Sequence, residues 1–313
     1  MYDTIIIGGG PAGVAAAVYT ARKKMKTLLI AESFGGQSIV AAEIENWIGT
    51  PKISGIELAQ NLEKHLRAQE DVEIKTGEKA TKIEEKGKFF KVLTENQEYE
   101  AKTVILCSGA RRRKLQVTGE EKFSGKGVVY CSTCDAPLFR DKKVAVVGAG
   151  NAGLEAVEDL LPYASHVYLL THGDKLRGDK VTIEKIQKAD KFEQIIYNAE
   201  VKEIQGDVFV EKLIYTDKES KQEKKLEIDG VFVEIGSVPN SEIIKGLVDI
   251  NGRGEVVLDH KTSAASKPGI FAAGDVTDEP YKQNNISAGD GVKAALSAYD
   301  YIKRKGIYEN MCY

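Results

Sequence analysis

The sequence predicts an α/β protein containing two dinucleotide-binding, Rossmann-like folds, each with helices and strands in three layers. Residues 3–32 and 142–174 each read as a buried β-branched strand, a GxGxxG loop, a helix and a second strand. A single GxGxxG loop is a weak signal, but two loops in the same strand–loop–helix context favour a pair of such folds. The length of 313 residues also accommodates about two domains.

The first glycine loop has every part that a dinucleotide needs. Gly8 makes the tight turn, Gly10 lets a pyrophosphate approach the backbone, and Gly13 allows the helix to pack closely on the strand. The helix N-terminus adds amide hydrogens and a positive dipole end, and Glu32 ends the second strand with a carboxylate for the ribose hydroxyls. The alternative is a glycine-rich turn without a ligand. The predicted site comprises Gly8, Gly10, Pro11, Ala12, Gly13 and Glu32.

The second glycine loop is only half complete. Gly148–Gly153 repeats the backbone part, but the position that selects a ribose or its 2′-phosphate reads Thr171–Gly173. This tripeptide has neither a carboxylate for a diol nor an arginine pair for a phosphate. Asp174, Lys175 and Arg177 follow and are imperfect substitutes. A working nucleotide site and a vestigial one both remain open.

A CxxC pair lies near the middle of the chain, which has four cysteines in all. Cys131 and Cys134 have no second close pair, and the histidines are scattered singly, so we expect no metal site. A structural staple is also disfavoured, because a chain of this size buries enough apolar surface without one. The pair is therefore expected to be redox-active.

The composition is that of an ordinary globular chain, at 42% hydrophobic and 29% charged residues. No stretch reaches the ~18 apolar residues that span a bilayer. A net charge of −3, with acids and bases mixed, gives no footprint for nucleic acid or anionic lipid. Because residues 1–3 lead directly into a strand without a leader pattern, we expect a cytoplasmic protein with no membrane or nucleic-acid partner.

In consistent order along nearly its whole length, the sequence resembles the low-molecular-weight thioredoxin reductases. Several stretches are still more similar to the reductase part of the alkyl hydroperoxide reductase flavoprotein subunit. The matching stretches are 5–13 (IIIGGGPAG), 34–37 (FGGQ), 44–55, 103–110, 128–139 (VVYCSTCDAPLF), 144–156, 231–240 (VFVEIGSVPN), 269–276 (GIFAAGDV), 280–283 (PYKQ) and 287–302.

The resemblance implies FAD in the first site and a second dinucleotide fold inserted into the first. The implied domains are 1–113 and 246–313, which together bind FAD, and 114–245, which carries the CxxC. Asp275 would bind the flavin's ribitol. Further FAD-binding positions implied by the matching motifs are Gly36, Gln37, Asn46, Gly274 and Gln283.

The resemblance also assigns the cysteines, with Cys134 on the flavin side and Cys131 exchanging with a protein substrate. Thiol–disulfide exchange needs a proton donor and acceptor, for which Asp135 is the adjacent candidate if burial raises its pKa. A helix N-cap is the alternative role for Asp135, and both can hold. Cys107 is expected to be a buried small hydrophobe, and Cys312 an exposed thiol near the terminus.

The sequence departs from these relatives in ways that bear on the electron donor. It begins at the first strand, without the N-terminal thioredoxin-like module of the hydroperoxide-reductase flavoprotein, so any relay protein is expected to be separate. Ala136 stands where glycine is usual, and only Arg177 survives from the NADPH-binding arginine motif. The tail 306–313 ends in Tyr313, which either covers the flavin or is disordered. Both the altered arginine motif and the aromatic tail resemble relatives that take electrons from ferredoxin.

We therefore expect an FAD-dependent reductase of thioredoxin or a thioredoxin-like protein, with reduced ferredoxin favoured over NADPH or NADH as donor. The family usually forms homodimers. The alternatives are an NAD(P)H-dependent thioredoxin reductase or hydroperoxide-reductase-type electron donor and, more remotely, a nucleotide-binding regulatory module without turnover.

Overall fold

A computed structural model describes residues 1–41 and 43–304. These residues form two compact units, the first comprising 1–41, 47–111 and 238–304, and the second comprising 43–46 and 112–237. Their borders fall at 111/112 and 237/238, whereas the sequence predicts domain borders at 113/114 and 245/246. Chain order thus places the second unit within the first.

The strands in chain order are β1 (Tyr2–Gly9), β2 (Thr27–Phe34), β3 (Val72–Thr76), β4 (Ala80–Lys86), β5 (Phe89–Thr94), β6 (Glu98–Leu106), β7 (Ala110–Arg112), β8 (Val128–Val129), β9 (Lys143–Val147), β10 (His166–Leu170), β11 (Phe192–Ile196), β12 (Ala199–Gly206), β13 (Val210–Asp217), β14 (Glu223–Glu227), β15 (Gly230–Val233), β16 (Ser237–Pro239), β17 (Leu258–Asp259), β18 (Ala264–Ala265) and β19 (Ile270–Ala272). The α-helices are α1 (Pro11–Arg22), α2 (Gly55–Arg67), α3 (Ser132–Asp135), α4 (Asn151–Leu160), α5 (Lys180–Ile186) and α6 (Asn284–Arg304). Short 3₁₀ helices span Gly36–Val40, Ala136–Phe139 and Glu242–Ile244.

The first unit is built on a sheet whose main path runs β17-β18-β19-β6-β1-β2-β3. β1 lies between β2 and β6 and is parallel to both. Ile5–Ile7 are buried because apolar clusters cover both faces of the sheet, and no polar residue interrupts this run. Helices α1 and α6 pack on one face, and the β4–β5 hairpin contributes to the apolar cluster on the other. A Cβ at Gly291 of α6 would lie 2.1 Å from the Ala12 carbonyl oxygen, which shows how closely the two helices approach.

Helix α1 ends in a Schellman-type cap. The amide of Lys24 donates to the Ala21 carbonyl, and the amide of Met25 donates to the Thr20 carbonyl. Lys24 has φ of 56°, and the fully buried Met25 fills the position where such caps make their apolar contact. The chain can then turn directly into β2.

The second unit has its own parallel sheet, in the order β11-β10-β9-β15-β8. Helix α4 contributes Leu154 and Val157 to the apolar cluster on one face of this sheet. The antiparallel strands β12, β13 and β14 form a separate sheet whose buried residues join the cluster on the other face. The predicted α/β class with two three-layer, Rossmann-like folds is confirmed.

The chain passes between the units through β7 and β16, which pair with each other. Within the first unit, the side-chain Nδ2 of Asn240 donates to the Ser108 backbone carbonyl at 2.8 Å, and the Ser108 hydroxyl donates to the Asn240 backbone carbonyl at 2.7 Å. These bonds tie the returning segment to the end of β6 and explain why residues after 237 belong to the first unit. In the part of the chain that the structure describes, no helix is long and apolar enough to cross a membrane.

Candidate disulfide-exchange and flavin sites

The first glycine loop is shaped by close backbone contacts. Gly8 has φ of 120°, and a Cβ there would lie 2.2 Å from the Cys107 carbonyl oxygen. A Cβ at Gly13 would lie 1.9 Å from the Gly8 carbonyl oxygen. Neither position therefore admits a side chain, and together they hold the start of α1 against the end of β1.

Gly10 differs from Gly8 and Gly13 because the space at its Cβ position is open. It has ordinary extended backbone angles, and the nearest atom to a Cβ there would be the Gly36 Cα at 3.9 Å. Gly10 is also the N-cap of α1, with no side-chain cap and Pro11 at the first helical position. The space beside Gly10 is thus a cradle that a side chain would fill, next to helix amides without a side-chain cap, and it fits a pyrophosphate.

Glu32 lies near the carboxyl end of β2, with its side chain 65% exposed and 3.6 Å from the Lys79 ammonium. Strand β2 continues to Phe34, so the prediction that Glu32 ends the strand was short by two residues. The pairing of Gly9 with Phe34 and the bond from the Gly35 amide to the Gly9 carbonyl extend the ladder. Glu32 is still beside the glycine loop, where a ribose would lie.

The C-terminal segment of the first unit completes this edge of the sheet. Gly274 has φ of 76°, and a Cβ there would lie 3.2 Å from the Ala12 Cβ. The Asp275 carboxylate accepts a hydrogen bond from the side-chain Nε2 of Gln37 at 2.9 Å. Gln283 immediately precedes α6 and accepts the Ser287 amide at its carbonyl.

The structure therefore gathers most of the predicted cofactor positions in one unit. Asn46 is different, because it lies in the segment 43–46, which groups with the second unit. The predicted positions in the first unit are Gly8, Gly10, Pro11, Ala12, Gly13, Glu32, Gly36, Gln37, Gly274, Asp275 and Gln283.

Cys131 and Cys134 form a disulfide with a Cα–Cα separation of 5.3 Å. Cys131 is the N-cap of the short helix α3, and its carbonyl accepts the Asp135 amide at 3.1 Å. This single helical turn brings residues three apart onto the same side, as a CxxC disulfide requires.

Asp135 ends α3 in a largely buried position. Burial raises the pKa of its carboxyl to about 7, although the positive charge of Arg112 acts in the opposite direction. Asp135 also occupies the N-cap position of the 3₁₀ helix Ala136–Phe139, but its side chain makes no capping hydrogen bond. Asp135 therefore stands at an N-cap position without a capping bond from its side chain, and its carboxyl can hold a proton near neutral pH.

Two further acids near the cysteine pair were missed from the sequence. Asp159, on α4, accepts a hydrogen bond from the Ser132 hydroxyl at 2.8 Å. Glu234 directly follows β15, is only 9% exposed, and has a pKa that burial raises to about 7. The sequence signal that could have identified Glu234 is an acid within the otherwise apolar run VFVEIG, at the end of a buried central strand.

The second glycine loop repeats the backbone geometry of the first. A Cβ at Gly148 would lie 2.3 Å from the Glu234 carbonyl oxygen, whereas a Cβ at Gly150 would meet nothing within 4 Å. Beyond β10, the buried Thr171 accepts the Gly173 amide at its hydroxyl, at 3.3 Å. The Arg177 amide donates to the Ala149 carbonyl at 2.7 Å, so this segment folds back onto the loop.

The remaining cysteine of the described residues, Cys107, is 5% exposed, and burial raises the pKa of its thiol. Its interpretation as a small buried hydrophobe is confirmed. The predictions for Cys312, Tyr313 and the tail 306–313 lie outside the described residues.

Two nucleotide-type folds together with a CxxC disulfide define the class of a flavin disulfide oxidoreductase. The sequence profile described as pyridine nucleotide-disulphide oxidoreductase matches residues 2–296. The chain belongs to this family, whose cofactor is FAD. The resemblance stated from the sequence motifs is thereby confirmed.

Two solved structures of thioredoxin reductases are similar to this chain. A thioredoxin reductase from Streptococcus pyogenes superposes with a TM-score of 0.91 at 37% identity, covering 97% of this chain and 99% of that chain. One from Giardia duodenalis superposes with a TM-score of 0.90 at 30% identity, covering 96% and 99%. The fold is thus thioredoxin reductase-like.

Two curated relatives are longer proteins. The "NADH dehydrogenase" of Bacillus subtilis (strain 168) is 44% identical over 303 residues, which cover 97% of this chain and 59% of that protein. A protein of Pseudomonas aeruginosa that is named as a subunit of alkyl hydroperoxide reductase is 44% identical over 308 residues, covering 97% and 58%. The chain therefore spans about three fifths of the length of these relatives.

Proposed function

We propose that this chain is an FAD-dependent reductase that passes two electrons from a donor, through flavin and the Cys131–Cys134 pair, to thioredoxin or a thioredoxin-like protein. The observation that carries the proposal is the CxxC disulfide followed by a largely buried carboxyl, Asp135, whose pKa is raised to about 7. A general acid and base works best when its pKa lies near the working pH. The thioredoxin reductases with similar structures support the choice of substrate.

The proposed FAD site is the carboxyl edge of the first sheet. The cradle at Gly10 and the first amides of α1 would receive the pyrophosphate, and Glu32 the adenosine ribose. Asp275, positioned by the Gln37 amide, would bond the ribitol. Bound FAD supplies the two electrons that reduce the disulfide. Asn46 and Gln283 are proposed to lie by the flavin ring on the family resemblance.

The exchange with thioredoxin is proposed to begin at Cys131. Its thiolate attacks one sulfur of the thioredoxin disulfide, which forms a mixed disulfide and releases the other thioredoxin sulfur as a thiolate. Cys134, as a thiolate, then attacks the Cys131 sulfur, so that the intramolecular disulfide re-forms and the second thioredoxin thiolate leaves. Asp135 takes the proton from an attacking thiol and returns it to a leaving thiolate. Two electrons and two protons reach thioredoxin in each cycle.

Reduced ferredoxin is the electron donor that we propose. The end of β10 offers Thr171, His172 and Gly173 where a nucleotide would need an acid or arginines, and the Thr171 hydroxyl already accepts the Gly173 amide. Each missing charge-assisted contact costs roughly 1.5–3 kcal/mol. A ferredoxin at about −400 mV reducing a thioredoxin at about −270 mV releases roughly 6 kcal/mol for two electrons. The transfer is therefore favourable without a nucleotide.

NADH or NADPH is the second candidate donor, and two observations favour it. The space beside Gly150 lacks any atom within 4 Å of a Cβ position, as a pyrophosphate site requires. One relative, 44% identical, bears the name NADH dehydrogenase. A role as donor to a hydroperoxide-reducing partner belongs with this alternative.

The resemblance further supports a homodimer in the cytoplasm as part of the proposal. Gel filtration with light scattering would give twice the chain mass of 34.2 kDa if the dimer is correct. A single-chain mass at micromolar concentration would contradict it.

The proposed reduction of thioredoxin can be tested without choosing between ferredoxin and a pyridine nucleotide as the electron donor. Stoichiometric dithionite reduces the bound flavin anaerobically, and oxidised thioredoxin is then added. Reoxidation of flavin with two thioredoxin thiols formed per flavin is the expected result. Flavin that stays reduced in the presence of several thioredoxins and thioredoxin-like proteins would overturn the proposal.

A further inference from the structure

The two residues between the cysteines, Ser132 and Thr133, are held by one carboxylate from another helix. The Ser132 hydroxyl donates to Oδ2 of Asp159 on α4 at 2.8 Å, and the Thr133 hydroxyl donates to the same oxygen at 3.3 Å. Because Ser132 is only 8% exposed, water has little access to replace the shorter bond. Asp159 therefore contacts both residues whose backbone determines how closely the two cysteines approach.

Asp159 occupies a position that is unfavourable for its own helix. It lies in the last turn of α4, where the partial negative charge at the helix C-terminus opposes an acid. The preceding residue, Glu158, is compensated by the Lys185 ammonium on α5 at 2.6 Å. The donors that compensate Asp159 are instead the two hydroxyls on α3. The acid thus costs α4 some stability and serves the turn between the cysteines.

The chain on the other side of Cys131 is fixed independently of α4. Tyr130 packs against the apolar cluster that includes residues of β12 and β13, and its hydroxyl donates to the Glu120 carboxylate at 3.0 Å. Glu120 is only 2% exposed and also accepts the backbone amides of residues 115–116 at 2.9 and 2.7 Å. Cys131 is therefore anchored from the strand side, and the turn after it determines where the second sulfur lies.

We propose that Asp159 is a positioning residue for the disulfide exchange. By binding both hydroxyls of the dipeptide between the cysteines, its carboxylate holds the two sulfurs within bonding reach and so sets how readily the pair re-forms its disulfide. The inference deepens the proposed function and rests on it for the role of the cysteine pair in exchange.

Restriction of the turn before the disulfide closes explains the proposed effect. In the oxidised state the bond between the sulfurs itself restrains the turn, whereas in the reduced state its other contacts must do so. If the carboxylate is removed, the reduced turn gains conformational freedom, which closure of the disulfide must then take away. The dithiol is thereby favoured over the disulfide, and the reduction potential of the pair rises.

The test measures the thiol–disulfide equilibrium of the flavin-loaded protein in dithiothreitol buffers, anaerobically and without thioredoxin. Dithiothreitol gives two electrons and two protons to the pair: the Cys131–Cys134 bond breaks, both cysteines become thiols, and dithiothreitol closes to its cyclic disulfide. Alkylation of the thiols followed by mass spectrometry gives the reduced fraction. In Asp159→Ala, we expect the equilibrium constant for reduction to increase about tenfold, which is equivalent to about 30 mV.

Variants of the hydroxyl donors separate positioning from a general structural role. Ser132→Ala combined with Thr133→Val removes both donors and should increase the equilibrium constant by a similar factor. In that background Asp159→Ala should have no further effect, because the carboxylate has no hydroxyl left to bind. Asp159→Asn keeps an oxygen that accepts the hydroxyls, so its shift in potential should be less than half of that in Asp159→Ala.

Glu158→Ala is the matched control. It removes an acid from the same turn of α4, but the side chain of Glu158 pairs with Lys185 and not with the cysteine turn. Its equilibrium constant should stay within about twofold of the wild type, since a partly exposed ion pair contributes little. Bound flavin and circular dichroism verify that each variant is folded.

The outcomes distinguish this inference from the proposed function. An unchanged equilibrium in folded Asp159→Ala, an equal change in Glu158→Ala, or additive effects of the carboxylate and hydroxyl substitutions would each overturn the inference. If Asp159→Ala shifts the equilibrium as expected but the wild type does not reduce thioredoxin, the positioning of the cysteine pair stands and the proposed substrate falls.

Discussion

Gln37 donates a hydrogen bond to Asp275 at 2.9 Å, joining residues 238 positions apart in the sequence. Gln37 lies in the 3₁₀ helix that follows β2, and Asp275 follows β19. The bond brings the start and the end of the first unit to one edge of its sheet. The proposed flavin site thus requires the C-terminal segment of the first unit.

Replacing Gly10 with valine should abolish FAD binding without unfolding the protein. Gly10 has φ of −78°, which a valine can adopt, and its side chain would enter the open cradle beside the first turn of α1. Bound flavin per chain, measured by absorbance, should fall at least about tenfold, since a blocked pyrophosphate loses several hydrogen bonds.

Gly289→Ala is the matched control for that experiment. Gly289 lies in α6, and a Cβ there would meet nothing within 4 Å. Flavin binding should be retained, and helix propensity should stabilise the fold by up to about 1 kcal/mol. Full flavin content in folded Gly10→Val would contradict the proposed site.

Serine at either Cys131 or Cys134 should abolish thioredoxin reduction while FAD remains bound. Neither sulfur alone can form or re-form the disulfide seen between them. Turnover with thioredoxin and flavin absorbance are measured in parallel, with Cys107→Ala as the control because Cys107 is buried in the first unit. Sustained turnover in either serine variant would remove the pair from the mechanism.

Asp135→Asn should lower the rate of thioredoxin reduction by about a hundredfold or more, because asparagine cannot transfer the proton. The wild-type rate should decline as pH falls through about 7, because a protonated Asp135 cannot take the proton from the attacking thiol, and this decline should be absent from the residual activity of the variant. Rate against pH for the two proteins is the measurement. An identical decline in Asp135→Asn would assign it to another group.

The same carboxyl should also make stability depend on pH. The pKa of Asp135 is about 7 in the folded protein, against 3.8 for the unperturbed group, so the folded state keeps a proton that the unfolded state has lost. Stability should therefore fall as pH rises from about 4 to about 7, by about 2–4 kcal/mol for this group. Denaturant unfolding of Asp135→Asn should show a smaller fall than the wild type. A fall of equal size would mean that Asp135 has an ordinary pKa.

The donor can be identified by anaerobic reduction of the flavin together with a substitution in the second glycine loop. We expect reduced ferredoxin, and not micromolar NADH or NADPH, to bleach the flavin rapidly. Gly150→Val, which fills the open space of that loop at an accommodating φ of −97°, should leave the ferredoxin reaction unchanged. Rapid bleaching by a pyridine nucleotide that is lost in Gly150→Val would instead establish a working nucleotide site.

Sequence patterns alone were enough to predict the two glycine loops, the strands and helices around them and the CxxC pair, because these depend on local rules. Ile5–Ile7 read as a buried strand whatever surrounds them, and Gly8 and Gly13 are required by contacts within one strand–loop–helix unit. The family and its FAD cofactor followed from the same motifs.

Tertiary packing determines which distant residues meet and what charge they carry. Burial and Arg112, not the neighbours of Asp135 in sequence, set its pKa near 7. Asp159 on α4 accepts the Ser132 hydroxyl from 27 positions away in the sequence, so no local pattern links these two side chains. Proton affinity depends on burial and on charges across elements, and these exist only once the sheet of the second unit has formed.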